Sequence, residues 1–359
     1  IDGMAQIYRS HFAMVKNPLI TKSGQHTSAI FGFMNSLFKL IREEKPDYIA
    51  IVLDSKEPTF RHKLYTEYKA TREKMPDELV SQLDPLLNLL SFTNISILKK
   101  SGYEADDIIG TMVKKAEELN LITYIVTGDK DMMQLVSDKT FMYQPGNSFR
   151  KKVVYDIEKV REKWGVGPDN IINMLALIGD SSDNVPGIDG VGPKTAKKLL
   201  DKYDNISTII DNAESNKNKR VREGLKNGKE LVHLSKELVT IDCKVPIDFN
   251  INELLLTEMD IDGLSSGLKE LEMYSLVSNL DKFKKFKSNQ FDETKVNYTL
   301  VISPKELDDM VNQLDCADII SFDLETTSLK PNEAEIVGIA FSIKKHQGFY
   351  IPIEFPEKD

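Results

Sequence analysis

Apolar residues recur along this chain in two rhythms, and the switches between them mark its elements. From Thr27 to Glu44, the residues Ile30, Phe31, Met34, Leu37, Phe38 and Ile41 fall at steps of three and four. That is the stripe of an amphipathic helix, and Pro46 helps to stop it. Tyr48 to Leu53 is a near-continuous apolar run, as a buried parallel strand requires, and it delivers Asp54. Asp77 to Phe92 is again helical, with a kink expected at Pro85. A second apolar run, Ile95 to Leu98, leads into Gly102-Tyr103-Glu104-Ala105-Asp106-Asp107 and a helix from Ile108 to Leu119. Ile122 to Val126 reads as a further strand, ending in Thr127-Gly128-Asp129-Lys130-Asp131. Ile1-Asp2-Gly3 reads as the end of a strand whose beginning is absent. This strand–helix alternation predicts an α/β fold with a twisted, mostly parallel sheet and flanking helices.

Beyond it, Ile171 to Ile178 is helical and ends in Gly179-Asp180-Ser181-Ser182-Asp183-Asn184. A turn bracketed by Gly190 and Gly192 then enters a helix with Pro193 at its start, a favoured place for proline. Residues 212 to 240 are helical with mixed charge, and Lys284 to Lys295 is polar and aperiodic, as a linker would be. A separate pattern follows: a strand Tyr298–Ile302, a helix Pro304–Leu314, and a strand Ile319–Phe322 that delivers Asp323 and Glu325. Ile336–Ile343 is another strand.

The recurring feature is the acidic residue at an element's end. Asp54, Glu104, Asp106, Asp107, Asp129, Asp131, Asp180 and Asp183 all follow apolar runs, and Asp2 opens the chain. Any one of them could be a helix cap or a turn residue. Together they would converge at the carboxyl edge of a sheet, where open α/β folds carry their sites. So many like charges cannot stay ionised together without cations, and hard divalent ions such as Mg²⁺ prefer oxygen ligands.

Composition narrows the classes. The 359 residues suffice for two or three domains, and 41% hydrophobic content supports a real core. No run approaches the roughly 20 apolar residues of a membrane helix. The start lacks the basic stretch of a signal peptide and lacks Met, so a preceding piece is expected to be absent. Cys243 and Cys316 form no motif, which suits a reducing cytoplasm. The net charge of −9 argues against nucleic acid until the carboxylates are matched by metal ions. Within 57–76, Arg61, Lys63, Lys69, Arg72 and Lys74 are interleaved with Phe60, Tyr65 and Tyr68. That mixture suits a phosphate backbone and unstacked bases, or equally a solvated helix. The glycine turn, with Lys194, Thr195, Lys197 and Lys198 after it, suits backbone contact with duplex phosphates or a plain interhelical turn. A side chain at Gly192 is expected to hold phosphate away and to oppose a φ that only glycine adopts.

Ile1-Asp2-Gly3, Leu53-Asp54, Phe60-Arg61 to Arg72, Gly102 to Asp107, Gly128 to Asp131, Gly179 to Asn184 and Gly190-Val191-Gly192 together resemble the 5′ nuclease (flap endonuclease) domain of bacterial DNA polymerase I, in order and in spacing. The resemblance runs to about residue 280, and Asp323-x-Glu325 resembles the first metal-binding motif of that polymerase's 3′→5′ exonuclease domain. It implies a PIN-like catalytic core over 1–165, a helix-hairpin-helix subdomain over 166–283, a linker over 284–296 and an incomplete ribonuclease H-like domain over 297–359. This last segment is expected to lack 3′→5′ activity. The resemblance further implies two Mg²⁺ ions, with Mn²⁺ as a substitute. Asp2, Asp54, Glu104 and Asp106 surround one ion, and Asp106, Asp129, Asp131 and Asp183 the other. The resemblance implies that Asp107 and Asp180 act through water or in an outer shell. Lys69 and Arg72 stand on a mobile arch helix, Tyr68 stacks on a base, and Arg61, Gly190, Gly192, Lys194 and Thr195 contact DNA, with K⁺ at the hairpin. The implied partner is DNA with a 5′ flap, nick or RNA primer end, met by a cytoplasmic monomer in replication and repair. A noncatalytic duplex-binding module has no use for so many carboxylates. A small-molecule phosphatase needs an Asp-x-Asp nucleophile motif, where this chain has Asp2 and Met4.

Overall fold

The computed structural model describes residues 1–146, 151–203, 205–248, 250–283, 297–317, 319–328, 334–344 and 347–353. The chain forms two units, 1–288 and 289–359. The expected linker at 284–296 lies outside the described residues.

In the first unit the helices are α1 (Gly3–Ala13), α2 (Ser28–Glu44), α3 (Phe60–Leu64), α4 (Asp77–Ser91), α5 (Ala105–Glu118) and α6 (Ile157–Trp164). They are followed by α7 (Ile171–Ile178), α8 (Pro193–Lys202), α9 (Ile206–Asp211), α10 (Lys219–Asn227), α11 (Lys229–Val239), α12 (Ile261–Glu270) and α13 (Tyr274–Val277). The strands are β1 (Ala50–Val52), β2 (Ser96–Leu98), β3 (Thr123–Val126), β4 (Thr140–Gln144) and β5 (Val153–Tyr155). β1 and β2 pair in parallel, as do β3 and β4, while β5 runs antiparallel to β4.

Ile1 and Asp2 join these two sheets. The Val52 N–H donates to the Ile1 carbonyl at 2.9 Å, and the Asp2 N–H donates to the Val126 carbonyl at 3.1 Å. Asp2 therefore sits between the carboxyl ends of β1 and β3, and α1 leaves directly from it. Gly3 is needed there, because a Cβ would stand 2.9 Å from the Val52 carbonyl. Beside Ile1, the strands β1 and β3 flank a cavity of about 660 Å³, closed in part by Met112 and Val113 of α5 and Leu40 of α2.

Three apolar clusters carry the unit. One packs α2 and α4 with Ile49 and Ile51 of the β1 region, and includes Leu264 and Leu268 of α12. A second packs α5 against Val52, Ile125 and Met132, with Ile241 and Val245. The third gathers α7, α8, α10 and α11 around Met174, Leu175 and Leu225. Among the described residues, no helix is long and apolar enough to cross a membrane.

In the second unit, β6 (Asn297–Leu300), α14 (Pro304–Asp315), β7 (Ser321–Thr326), β8 (Ile336–Lys344) and β9 (Gln347–Pro352) give a sheet of order β6-β9-β8-β7. Its buried centre is Val301, Met310 and Phe349. Asp323 and Glu325 lie inside β7, paired with Ala340 and Gly338, not beyond its end as the apolar run suggested. The strand continues because the antiparallel ladder to β8 sets its length, not its own hydrophobicity.

Candidate metal and nucleic-acid site

The acidic residues of the first unit reach one region from five separate elements. Asp2 caps α1, accepting the Ala5 N–H at 3.0 Å, and its other oxygen accepts the Thr127 hydroxyl at 2.7 Å. Asp54, at the exit of β1, accepts the Ala105 N–H at 2.8 Å and so joins that strand to the start of α5. Glu104 is the N-cap residue of α5 and forms a capping box with Asp107. Asp129 follows β3 and accepts the Asp131 N–H at 3.0 Å, opening the short 3-10 helix Lys130–Leu135. Asp180 and Asp183 lie in the turn after α7.

Their electrostatics show the crowding. Burial, and then Asp129 and Asp2, push the Asp106 carboxyl well above the usual carboxylate range. Burial and Asp129 push Asp131 up to about 7. Asp2 is raised by burial, with Asp129 and Asp54 adding to it against its two hydrogen bonds. Asp180 is also desolvated, yet Lys130 and the Ser182 N–H hold its carboxyl below the usual range.

Basic side chains meet these acids. Lys69 Nζ lies 2.7 Å from Glu104 Oε1 and 3.6 Å from Asp183 Oδ2, and Arg72 pairs with Asp183. Lys130 Nζ lies 2.5 Å from Asp180 Oδ2 and 3.2 Å from Asp131 Oδ1. Among the described residues, no three acidic, His or Cys side chains converge tightly enough to hold an ion as they stand. The donor set is nonetheless entirely carboxylate oxygen, and burial together with neighbouring carboxylates raises Asp2, Asp106 and Asp131. That is the chemistry a hard divalent cation satisfies.

The basic stretch departs from the expectation. Residues 60–64 form the short helix α3, but Lys69 and Arg72 are on no helix, and Lys69 sits in turns at φ 58°. The expected arch helix is absent because the Lys69 N–H donates to the Asp183 carbonyl at 2.8 Å and pins this segment to the turn after α7. Tyr68 is 4% exposed, its hydroxyl between Glu104 and Asp183, so its ring is not open to a base. Arg61 is 2% exposed and forms a bidentate pair with Asp107, so it does not face a phosphate. Asp107 is wholly buried in that pair, away from solvent.

At the hairpin, the conformational constraint expected at Gly192 falls on Gly190 instead. Gly190 has φ +77°, and a Cβ there would meet Arg220 Cγ at 2.9 Å. Gly192 has an ordinary extended backbone, φ −98°, and open space around it. Gly192 and Lys194 are exposed and Thr195 is partly so. Two further residues belong to this site, and neither is acidic. Lys130 bridges Asp131 and Asp180, and buried Thr127 accepts the Asp129 N–H while donating to Asp2. A threonine just ahead of an acidic turn was the available signal.

Residues 1–165 match the family model of the 5′-3′ exonuclease N-terminal resolvase-like domain, and residues 166–262 that of the 5′-3′ exonuclease C-terminal SAM fold. A 5′-3′ exonuclease of Aquifex aeolicus is 40% identical over 282 residues, covering 79% of this chain and 94% of that protein. A DNA polymerase I of Borreliella burgdorferi is 36% identical over 375 residues, covering 99% of this chain. The chain spans only 41% of that polymerase's length. Among solved structures, the T5 5′-exonuclease with bound divalent metal ions (zinc) aligns with a TM-score of 0.58 at 18% identity, over 79% of this chain and 98% of that one. That is a likeness of fold.

Proposed function

The chain belongs to the 5′-3′ exonuclease family, and on that premise we propose that it is a structure-specific 5′→3′ exonuclease and 5′-flap endonuclease, the nuclease part of a DNA polymerase I. One observation carries this reading: Asp2, Asp54, Glu104 and Asp129 are delivered by the ends of separate elements, Asp2 and Asp54 fastened to α1 and α5, to a region where buried Asp106 and Asp131 lie beside Asp129. Asp2, Asp54, Glu104 and Asp106 would hold one Mg²⁺, and Asp106, Asp129, Asp131 and Asp183 a second, with Mn²⁺ as a substitute. Bound there, such ions activate a water and neutralise the leaving oxygen of a phosphodiester.

The chain's own residues do the rest. Lys69 and Arg72, held against Glu104 and Asp183, would turn to a scissile phosphate once metals neutralise their partners. Asp180 is held back by Lys130 and acts from the outer shell. Asp107 acts through the Glu104 main chain. The loop of Gly190 and Gly192, with Lys194 and Thr195, would hold the duplex through its backbone, with K⁺ as a candidate ion there and a helix-hairpin-helix as the motif. The partner is DNA with a 5′ flap, a nick or an RNA primer end, met by a monomer in the cytoplasm. We read 1–165 as the catalytic core, 166–283 as the duplex-binding subdomain, and 297–359, with Asp323 and Glu325, as ribonuclease H-like. The test is a labelled 5′-flap duplex incubated with Mg²⁺ and, separately, with chelator. Flap release that needs the metal is expected, and an intact flap in both tubes would defeat the proposal.

A further inference from the structure

Arg61 has a donor role that neither a surface contact nor a simple ion pair explains. Its Nε donates to the Leu238 carbonyl at 2.8 Å, and Nη2 to the Thr240 carbonyl at 2.7 Å. Nη2 and Nη1 also donate to the two oxygens of Asp107, at 2.7 and 2.8 Å. Asp107 in turn accepts the Glu104 N–H at 3.1 Å and the Asp242 N–H at 2.9 Å. One buried pair therefore grips two main-chain points, the start of α5 and the exit of α11.

Both points lead to function. The Glu104 side chain leaves the gripped main chain to meet Lys69 and Tyr68 at the acidic cluster, and its Oε2 also accepts a hydrogen bond from Arg61 Nη1 at 3.4 Å. α11 packs beside α7 in one apolar cluster, and its Ser235 hydroxyl donates to the Pro186 carbonyl at 2.6 Å, inside the loop that leads to Gly190. A guanidinium is required, because a lysine ammonium cannot present a planar fork and a third donor direction at once. Taking two charges out of water is costly, and only such dense hydrogen bonding offsets it.

We propose that Arg61 is a positioning residue for the metal site: through Asp107 it fixes the main chain of Glu104, and through Leu238 and Thr240 it ties that fix to the helix beside the hairpin loop. This rests on reading Glu104 as a metal ligand. A side chain that acts on a ligand from behind typically changes metal affinity by about 10–100-fold when altered.

The experiment uses the full chain as wild type, Arg61→Lys, Asp107→Asn and the double variant, at a temperature where each keeps its native circular dichroism. Mn²⁺ binding without DNA is read from the free-ion paramagnetic resonance signal, and cleavage is measured in single turnover at saturating enzyme. Each single variant should lose about tenfold in Mn²⁺ affinity and cleave more slowly, while duplex affinity stays close to wild type. The double variant should lose less than the two singles together, because both break the Arg61–Asp107 grip, while Arg61→Lys also alters the direct contact of Nη1 with Glu104 Oε2. Should Arg61→Lys fail to fold, Asp107→Asn, which keeps size and one acceptor, decides alone. A folded variant that binds Mn²⁺ like wild type and merely melts earlier overturns the proposal and leaves Arg61 a core ion pair. A wild-type chain that binds no Mn²⁺ would instead bring down the metal reading on which the proposal stands.

Discussion

Lys69 Nζ stands 2.7 Å from Glu104 Oε1, so a residue of the basic stretch and the N-cap of α5 form a largely buried ion pair at the edge of the acidic cluster. The pair ties two roles to one side chain. Its ammonium offsets the charges of Glu104 and Asp183, and on the proposed reading it would also meet the phosphate of a bound strand.

Lys69→Ala separates these roles. Removing a competing cation should tighten divalent-metal binding in the absence of DNA, which a calorimetric titration reads. Removing a charge that stabilises the transition state should slow cleavage by about 10²–10³-fold at saturating enzyme. Full recovery of the rate at high enzyme concentration would show that Lys69 serves binding alone.

Asp129 is the carboxylate most directly involved in the raised proton affinity of both Asp106 and Asp131. Asp129→Asn keeps an oxygen able to accept the Asp131 N–H, so the local turn should survive. Cleavage should fall to near background, because a charged ligand is lost. The metal-free melting temperature should rise, because two crowded carboxyls lose a neighbouring charge. An unchanged cleavage rate would remove Asp129 from the metal site.

Much of this site is legible in the sequence. Apolar runs end where Asp54 and Asp129 begin, and Ile171–Ile178 forms as a helix over the span its apolar residues mark. Other features are not legible because tertiary partners decide them. Arg61 lies in a basic, aromatic stretch that reads as surface, yet its acceptors at Asp107, Leu238 and Thr240 lie far along the chain. Tyr68 reads as a base platform and is buried by Glu104 and Asp183. The run Tyr48–Leu53 yields a paired strand only over Ala50–Val52, since β2 offers that many partners. At Tyr48 the chain instead bridges to Leu255.

The acidic cluster sets the pH dependence of the metal-free protein. Asp2, Asp106 and Asp131 are raised, the last to about 7, so between about pH 4 and about 7 these carboxyls bind more protons in the folded state than in the unfolded one. Their contribution to stability therefore falls as pH rises through that window. Asp180 is lowered and acts oppositely, but only below the ordinary carboxylate range. In chelator, the melting temperature should decline from about pH 4 to about pH 6, above which the buried Ile1 ammonium, lowered to about 6, acts oppositely. Saturating Mg²⁺ should flatten or reverse that decline, because bound cations favour the ionised form. Parallel melts with and without Mg²⁺ check it, and identical slopes would show that the cluster does not bind the ion.

The two hairpin glycines should separate folding from binding. Gly190 occupies φ +77°, where an L side chain costs about 1–2 kcal/mol, and its Cβ would also press on Arg220. Gly190→Val should therefore lower the melting temperature and disturb the Arg220–Asp189 pair, whose shortest contact is 2.6 Å. Gly192 is different: its backbone is extended, it is exposed, and nothing lies near the position of a Cβ. Gly192→Val should melt like wild type. Its side chain would, however, stand where a phosphate must approach the start of α8, and losing one or two backbone hydrogen bonds weakens duplex binding about tenfold. The loss should be equal for duplexes of different sequence, because main-chain contacts to phosphate carry no base information. Melting curves and binding isotherms on two unrelated duplexes decide the matter. A Gly192→Val protein that binds both as tightly as wild type would move the duplex contact away from this turn, and a loss confined to one sequence would make it a base reader.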